Sequence, residues 1–400
     1  MKIVVVGAAG MVSLSTLLYL ADQNDISQII AADIQEEKLK ERLKKIGDDR
    51  LVARFIDLTD IKGSTDVFKG SQIVVNCAYQ GYVTDKVFVD YELLAAEAAL
   101  QAGANYICLG GAPPTPEFMS PAFSDEFNKK GLVAIQGMGA SPGLTEVVAA
   151  YAINRMDKAE SVEMFSVYKD LIPPEEHSRP LSLGHTLGGY VSIYTLDTVM
   201  YEDGKVKYFP PRSNRETLNF KAGPITVALT QGSSAIALFK SFPEIKNISY
   251  KTNLDPKLIF LRDLGFFSHN QINVEGQEVS PWEVLMTLIR KLPPETRKNP
   301  DIVHEQRVIV RGEKDGRKVE YDISNVTSCG LMNRFLKIGG IPGTSPTTGI
   351  AIAVAAMMMA RGQVKGTGIL TPAQCIPPDQ YLDELIKAGM VIEIGSKTLM

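Results

Sequence analysis

The chain is 400 residues long, 45% hydrophobic and 22% charged, with a net charge of −4, a pI near 5.8 and a mean hydropathy of zero. That length buries a sizeable core and divides into two or three domains, while the acidic balance excludes the basic stripe of a nucleic-acid surface. The longest apolar run, Gly349 to Ala360, is too short to span a bilayer, and Cys77, Cys108, Cys329 and Cys375 form no CxxC pair, so the pattern excludes a membrane helix, a disulfide framework and a metal centre.

Lys2 to Val6 is an apolar run of strand length. It begins at the second residue and leaves no room for a secretory leader, so a cytoplasmic protein is expected. Gly7-Ala-Ala-Gly10 breaks the run, Met11 to Ala21 carries apolar residues at helical spacing, and a second run, Ile29 to Ala32, ends in Asp33. Strand, glycine turn, helix, strand, acid is the order of a dinucleotide-binding unit. Gly7, Ala9, Gly10 and Met11 would bring backbone N–H groups to a pyrophosphate. Asp33 would accept hydrogen bonds from the adenosine ribose hydroxyls and repel a 2′-phosphate, so NAD is the expected cofactor and NADP the lesser one. The glycine pattern is incomplete, since G-x-G-x-x-G falls on Gly7, Ala9 and Val12.

A charged helix from Glu36 to Lys45 presents a solvated face. Leu51 to Ile56 is a third strand closed by Asp57, which either meets the adenine amino group or caps the next helix. Gln72 to Ala78 is the fourth strand. Its end lies where strand order reverses, which brings Cys77, Ala78 and Tyr79 toward the nicotinamide half of a cofactor. A helix from about Thr84 to Ala102 stops at Gly103. Strands at Asn105 to Leu109 and Leu132 to Gln136 complete a doubly wound parallel sheet, an α/β Rossmann domain over residues 1–140.

Gly137-Met-Gly139-Ala-Ser-Pro-Gly143 marks a boundary. The helix that follows, Leu144 to Met156, points its N-terminus back at the sheet, so Gly139 also belongs to the cofactor side. Val162 to Tyr168 and Ile225 to Leu229 then read as strands. Glu202-Asp-Gly-Lys205 and Lys314-Asp-Gly-Arg317 are tight turns, the second closing a hairpin of Arg307 to Arg311 with Lys318 to Ile323. Residues 141–340 form an α+β substrate domain. Pro342 to Thr348 leads into a helix, Gly349 to Arg361, apolar nearly all round and so placed where the domains meet. With a further helix over Pro372 to Ile386, residues 341–400 are a C-terminal helical segment that packs back on the Rossmann domain.

These residues resemble the saccharopine dehydrogenase family over nearly the whole chain. The glycine turn is similar to that family's G-A-G-G-V-G, with Ala9 and Val12 departing from it. Ala102-Gly-Ala-Asn-Tyr-Ile-Cys-Leu-Gly110 resembles its A-G-x-x-Y-x-D-L, with Cys108 in the Asp position. Gly139-Ala-Ser-Pro-Gly143 resembles its G-x-D-P-G, with Ser141 in the Asp position. Leu261-Arg-Asp-Leu-Gly265, and Thr347-Thr-Gly349 followed by Arg361-Gly362, are similar to segments of the lysine 6-dehydrogenase and carboxynorspermidine dehydrogenase branches.

The resemblance implies NAD(P)-linked hydride exchange at a carbon–nitrogen bond of an amino acid or imine. It also implies a homodimer joined through the second domain, which is then a dimerisation domain as well. Polyamine-making relatives carry H-x-E where this chain has Gln231-Gly-Ser233. Few carboxylates remain for a cationic diamine, which counts against a polyamine and weakens lysine too. Lysine 6-dehydrogenase-like oxidative deamination is still the nearest named activity. Reductive condensation of an amine with an aldehyde is its rival among enzymes. A non-catalytic NAD-binding sensor or scaffold, with the fold kept and the acids lost, is the rival outside them.

Hydride leaves the carbon only when the amine nitrogen is neutral, and a lysine-type amine has a pKa of about 10.4. A base or a desolvated pocket must therefore take its proton. His185 is a candidate by type, set against a histidine satisfied inside its glycine-rich turn. Tyr79 is a candidate by position, with a tyrosine at the matching place in saccharopine reductases, set against packing over the cofactor. Lys169 would serve as a desolvated amine, set against a surface lysine. An amino-acid carboxylate suits an arginine fork, from among Arg179, Arg212, Arg215 and Arg334. The Thr347-Thr348 helix start would help, unless it only caps the helix.

Overall fold

The structure, a computed structural model, describes residues 1–78, 81–84, 87–110, 120–171, 192–292, 302–340 and 345–399. Its first half follows the strand–helix alternation read from the sequence: β1 (Lys2–Val6), α1 (Met11–Ala21), β2 (Gln28–Asp33), α2 (Glu36–Ile46), β3 (Leu51–Phe55), α3 (Ile61–Phe68) and β4 (Ile73–Asn76). The helix expected from Thr84 starts later. β5 (Gly81–Thr84) pairs antiparallel with β6 (Val87–Asp90), and Asp90 caps α4 (Tyr91–Ala102) by accepting from the N–H groups of Glu92 and Leu93. β7 (Asn105–Cys108), α5 (Pro121–Lys129) and β8 (Val133–Ile135) complete this half.

α6 (Leu144–Ile153) leads into the second domain. Its elements are β9 (Lys158–Asp170), β10 (Thr198–Glu202), β11 (Lys205–Phe209), β12 (Glu216–Phe220), β13 (Gly223–Leu229), α7 (Ser233–Ser241), β14 (Asn247–Asn253) and α8 (Pro256–Asp263). A small hairpin of β15 (Ile272–Val274) and β16 (Gln277–Val279) follows, then α9 (Pro281–Arg290), β17 (Ile302–Lys314), β18 (Arg317–Thr327) and α10 (Cys329–Lys337). The chain closes with α11 (Ser345–Ala360), β19 (Gly368–Leu370), α12 (Pro372–Cys375), α13 (Pro378–Lys387) and β20 (Met390–Thr398).

The first sheet is parallel in the order β19-β8-β7-β4-β1-β2-β3, with the reversal between β1 and β4. The second is mixed: β11-β10-β14-β9-β17-β18-β20, with the β12–β13 hairpin attached at β14. Both Asp-Gly turns have positive φ at the two central residues, 53° and 73° at Asp203 and Gly204, 50° and 69° at Asp315 and Gly316. That is the twist-matched turn such pairs favour. The C-terminal segment is not only helical, because β19 extends the first sheet and β20 the second.

One core joins the halves. Ile3, Val5, Ala31 and Val75 of the first sheet and Val162, Met164, Val308 and Val310 of the second close the same cluster from opposite sides. α6 and α11 lie between them. α11 is buried from Gly349 through Met359, as its apolar circumference requires. It crosses α1 at Gly349, where the Thr16 hydroxyl donates to the Gly349 carbonyl at 3.0 Å and the Ser15 hydroxyl to the Ser345 carbonyl at 3.2 Å. Among the described residues no helix is long and apolar enough to cross a membrane, and no group of three His, Cys, Asp or Glu side chains could hold a metal.

Candidate active site at the domain junction

The chain leaves β1 through Gly7, whose φ is 70°. A Cβ there would lie 2.6 Å from the Ala78 nitrogen, so the turn can rest against the end of β4 only with glycine. The Cys77 N–H donates to the Val6 carbonyl at 2.9 Å, and Asn76 Oδ1 holds the Ala78 N–H at 2.9 Å. Gly10 is the N-cap of α1, and no side chain caps this end, which leaves first-turn N–H groups beside Met11 for an anion. Asp33 accepts from the Ala9 N–H at 2.9 Å through one oxygen and from the Gln35 N–H at 2.8 Å through the other. Each oxygen keeps a lone pair for a ribose hydroxyl. Arg42 donates to the Gly10 carbonyl, and the Asp33 charge acts on it from nearby. A cradle that a Cβ would fill, an uncapped helix start and an acid on the second strand fit a dinucleotide.

Asp57 does not cap α3. Its carboxylate accepts from the N–H and hydroxyl of its own Thr59, at 2.9 and 2.7 Å, and Asp60 provides the cap. The Cys77 thiol faces α1, 3.8 Å from the Thr16 hydroxyl, and burial pushes its pKa up to about 12.

The inner face of the second sheet changes character along its length. Under α6 and α7 it is apolar, and toward the Rossmann domain it becomes polar: Ser166 on β9, Tyr250 on β14, His304 and Gln306 on β17, Asn325 and Thr327 on β18. Register sets Ser166 opposite Gln306, and Gln306 opposite Asn325, so strand alternation puts all of them on one face. His304, 2% exposed, is the centre. Its Nδ1 lies 2.9 Å from Thr347 Oγ1 at the start of α11, and its Nε2 lies 3.2 Å from Ser166 Oγ and 2.6 Å from Gln306 Nε2. Thr347 Oγ1 is also 2.6 Å from Thr327 Oγ1. Burial pushes the Tyr250 hydroxyl up to about 12, with the nearby Ser141 and Ser166 hydroxyls offsetting part of that rise. A hydrogen-bonded chain thus runs Ser166, His304, Thr347, Thr327, and the Ser141 hydroxyl lies 2.8 Å from Thr145 Oγ1.

Glu146 lies beside this chain, wholly buried at the start of α6, where its carboxylate accepts from the Gly143 N–H and the Thr145 hydroxyl. Burial raises its pKa to about 7. Gly139 and Thr348 also meet here, since a Cβ on Gly139 would lie 3.3 Å from Thr348 Cγ2.

Other sequence-picked residues stand elsewhere. Lys169 shares the outer face of β9 with Phe165 and Val167, and its ammonium donates to the Ala222 carbonyl at 2.9 Å, away from the junction. Arg212 is 1% exposed. Its guanidinium donates to the Thr252 hydroxyl at 2.8 Å and to the carbonyls of Thr252 and Asn253 at 2.9 and 2.6 Å, a tie between strands and not a fork held out to a substrate. Arg215 donates to the Arg212 carbonyl, and Arg334 pairs with Asp22 of α1. The Thr347 hydroxyl is taken up by His304 and Thr327. Tyr79, His185 and Arg179 lie outside the described residues. Sequence reasoning missed His304, Gln306, Ser166 and Tyr250. Their one signal was polar residues at alternate positions near the ends of otherwise apolar strands.

Comparison with known proteins bears on the same regions. Residues 3–135 match the family model of the saccharopine dehydrogenase NADP binding domain, and residues 139–390 that of the saccharopine dehydrogenase C-terminal domain. The chain is 23% identical to a carboxyaminopropylagmatine dehydrogenase of Synechocystis sp., over 97% of its own length and 96% of the relative's. It is 22% identical to a carboxynorspermidine synthase of Vibrio alginolyticus, over 91% and 86%. The solved structure of apo saccharopine dehydrogenase (L-Glu forming) from Saccharomyces cerevisiae has the same fold, with a TM-score of 0.73 at 15% identity over 100% of both chains.

Proposed function

The chain belongs to the saccharopine dehydrogenase family and is an NAD(P)-binding oxidoreductase, and on that premise we propose that it exchanges hydride with NAD at the carbon–nitrogen bond of a carboxylate-bearing amine. Bound nicotinamide supplies the hydride acceptor. The chain's own groups do the rest. The Gly7–Gly10 turn and the α1 start take the pyrophosphate, and Asp33 takes the ribose hydroxyls, which supports NAD over NADP.

The observation that carries this reading is the contact between the two halves of the junction. The polar end of the second sheet reaches the start of α11 through His304 and Thr347, and the next residue, Thr348, lies beside Gly139. A small substrate held there has nicotinamide on one side and hydroxyl, imidazole and amide groups on the other. The side chains of that wall, Ser166, Tyr250, His304, Gln306, Asn325 and Thr327, carry no carboxylate, which disfavours a polycation. Lysine 6-dehydrogenase-like oxidative deamination is the first reading, although lysine's second ammonium would find no carboxylate among these side chains. Reductive condensation of an amine with a carboxylated aldehyde is the second reading, favoured by the names of the relatives, which denote carboxylated amines.

Absorbance at 340 nm tests both directions. The purified protein is given NAD with pooled L-amino acids, L-lysine included, at alkaline pH, and separately NADH with pooled amines and aldehydes. Growth of the band with the amino acids supports oxidation, and its loss with the second mixture supports condensation. No change in either, with NAD(H) or NADP(H), would sink the enzyme reading and leave a cofactor-holding scaffold.

A further inference from the structure

We propose that Glu146 is the terminal acceptor of the proton that the substrate amine must lose, reached through the hydroxyls of Ser141 and Thr145. The inference rests on the amine-oxidation reading above. Ser141 stands in the loop that leaves β8 at the C-terminal edge of the first sheet, the edge where a doubly wound sheet takes its ligand. It is half-buried, whereas Thr145 and Glu146, on the first turn of α6, have no exposed surface. The Tyr250 hydroxyl of the second sheet is near it, so Ser141 borders both halves of the junction.

The bonds along this path have one direction. The Thr145 hydroxyl donates to Glu146 Oε2 at 2.9 Å. That engages its one proton, so at its 2.8 Å contact with Ser141 it accepts and Ser141 donates. Both hydroxyl protons thus point toward the carboxylate, and the Ser141 lone pairs are left to accept an N–H from outside. Glu146 Oε2 also accepts from the Gly143 N–H, while Oε1 is buried without a partner. A carboxylate buried with one oxygen unpaired is costly to keep charged. Burial accordingly raises this one to about 7, which suits it to exchange a proton near neutral pH. In the transfer one N–H bond of the ammonium breaks as Ser141 Oγ takes the proton. Ser141 passes its own proton to Thr145, Thr145 passes its own to Oε2, and a new O–H bond forms there. The amine is left neutral, and each bond of the path has reversed its direction. Tyr250 of β14 and Tyr381 of α13 are the titratable groups that the Glu146 charge reaches, and burial holds the first up to about 12 and the second well above its ordinary value. Of the other elements packed on α6, β9 turns Val162 and Met164 toward it, β17 carries His304 bound to Thr347 and Gln306, Cys375 of α12 is held up to about 12, and Lys240 of α7 is exposed.

The test compares wild type with Glu146→Gln and Thr145→Val, measuring NADH formation from pooled L-amino acids between pH 6 and 11. The wild-type rate should rise through pH of about 7, as Glu146 loses its own proton and can take another. Both variants are expected to lose roughly 10²–10⁴-fold in rate near pH 8. Both should recover toward wild type only above pH of about 10.4, where the amine is neutral in solution. A purely structural role predicts the same loss at every pH, and that result, or a Thr145→Val rate equal to wild type at pH 8, overturns the relay. Thr145→Val keeps the branched shape and removes the hydroxyl, so it decides the matter even if Glu146→Gln does not fold. Infrared difference spectra of the protein without added NAD give a second readout. A protonated-carboxyl band, absent from Glu146→Gln, should fade through pH of about 7, and a band already gone at pH 5 overturns the acceptor. A wild type that forms no NADH at any pH while that band still titrates removes the oxidation reading itself, and the relay with it. Turnover with an unaltered pH profile in the variants removes the relay alone.

Discussion

A methyl group added at Gly349 has no room where α11 crosses α1. It would fall 2.1 Å from Ser15 Oγ, 2.3 Å from the Val12 carbonyl oxygen and 3.1 Å from the Thr16 nitrogen. Ser15 can swing aside by giving up its bond to the Ser345 carbonyl. The Val12 carbonyl is backbone inside the first turn of α1 and cannot. Normal contact is about 3.5 Å, so the helices must part by roughly 1 Å. Overpacking of that kind costs about 1–3 kcal/mol, and loss of the Thr16 bond to the Gly349 carbonyl adds about 1 kcal/mol. Alanine's better helix propensity returns about 1 kcal/mol. The net expectation for Gly349→Ala is a destabilisation of about 1–3 kcal/mol. Urea unfolding followed by far-UV circular dichroism should show a lower midpoint with an unchanged slope. Thr347 and Thr348 ride on the same turn, so NADH affinity should fall with it. A variant about 1 kcal/mol more stable than wild type would mean that propensity alone operates, and the close helix crossing would be refuted.

Arg212→Met keeps apolar bulk but leaves the carbonyls of Thr252 and Asn253 unpaired in the interior. It should destabilise the protein by about 2–4 kcal/mol and leave KM unchanged in the folded fraction. A raised KM at unchanged stability would return Arg212 to the substrate. Glu146 has a folded pKa of about 7 against a usual 4.5. The folded state therefore holds this proton more tightly than the unfolded one. Its contribution to stability is full below pH of about 4.5 and is lost as pH rises through about 7, at up to ~1.4 kcal/mol per unit. The melting temperature of Glu146→Gln, taken relative to wild type, should climb between pH 5 and 8. A constant difference across that range would contradict the buried, protonated carboxyl.

The stretch from Lys2 to Asp33 declared its structure in sequence because everything in it is local. A five-residue apolar run, a positive-φ glycine, a helical period and a terminal acid each act within a few residues of themselves. The two Asp-Gly turns were legible for the same reason, as was the burial of α11, since a helix with no polar side has nowhere else to go. The helix expected from about Thr84 begins only at Tyr91, after the strand Val87–Asp90. Val87-Phe-Val89 suits a strand, and Asp90 is the true N-cap.

The second-domain half of the candidate site was not legible, and the reason is register. Ser166 and Lys169 are three residues apart on β9, yet one faces the junction and the other the outer hairpin, because successive side chains alternate and only pairing with β17 says which set turns inward. His304 reads in sequence as one more polar residue in a strand. It becomes the centre of a network only when Ser166 and Thr347, each more than forty residues away, are folded against it. Arg212 looked like a loop arginine for the same reason. Short-range periodicity determined the elements and the cofactor turn, whereas long-range packing decided which side chains share a face and which charges are drawn inside.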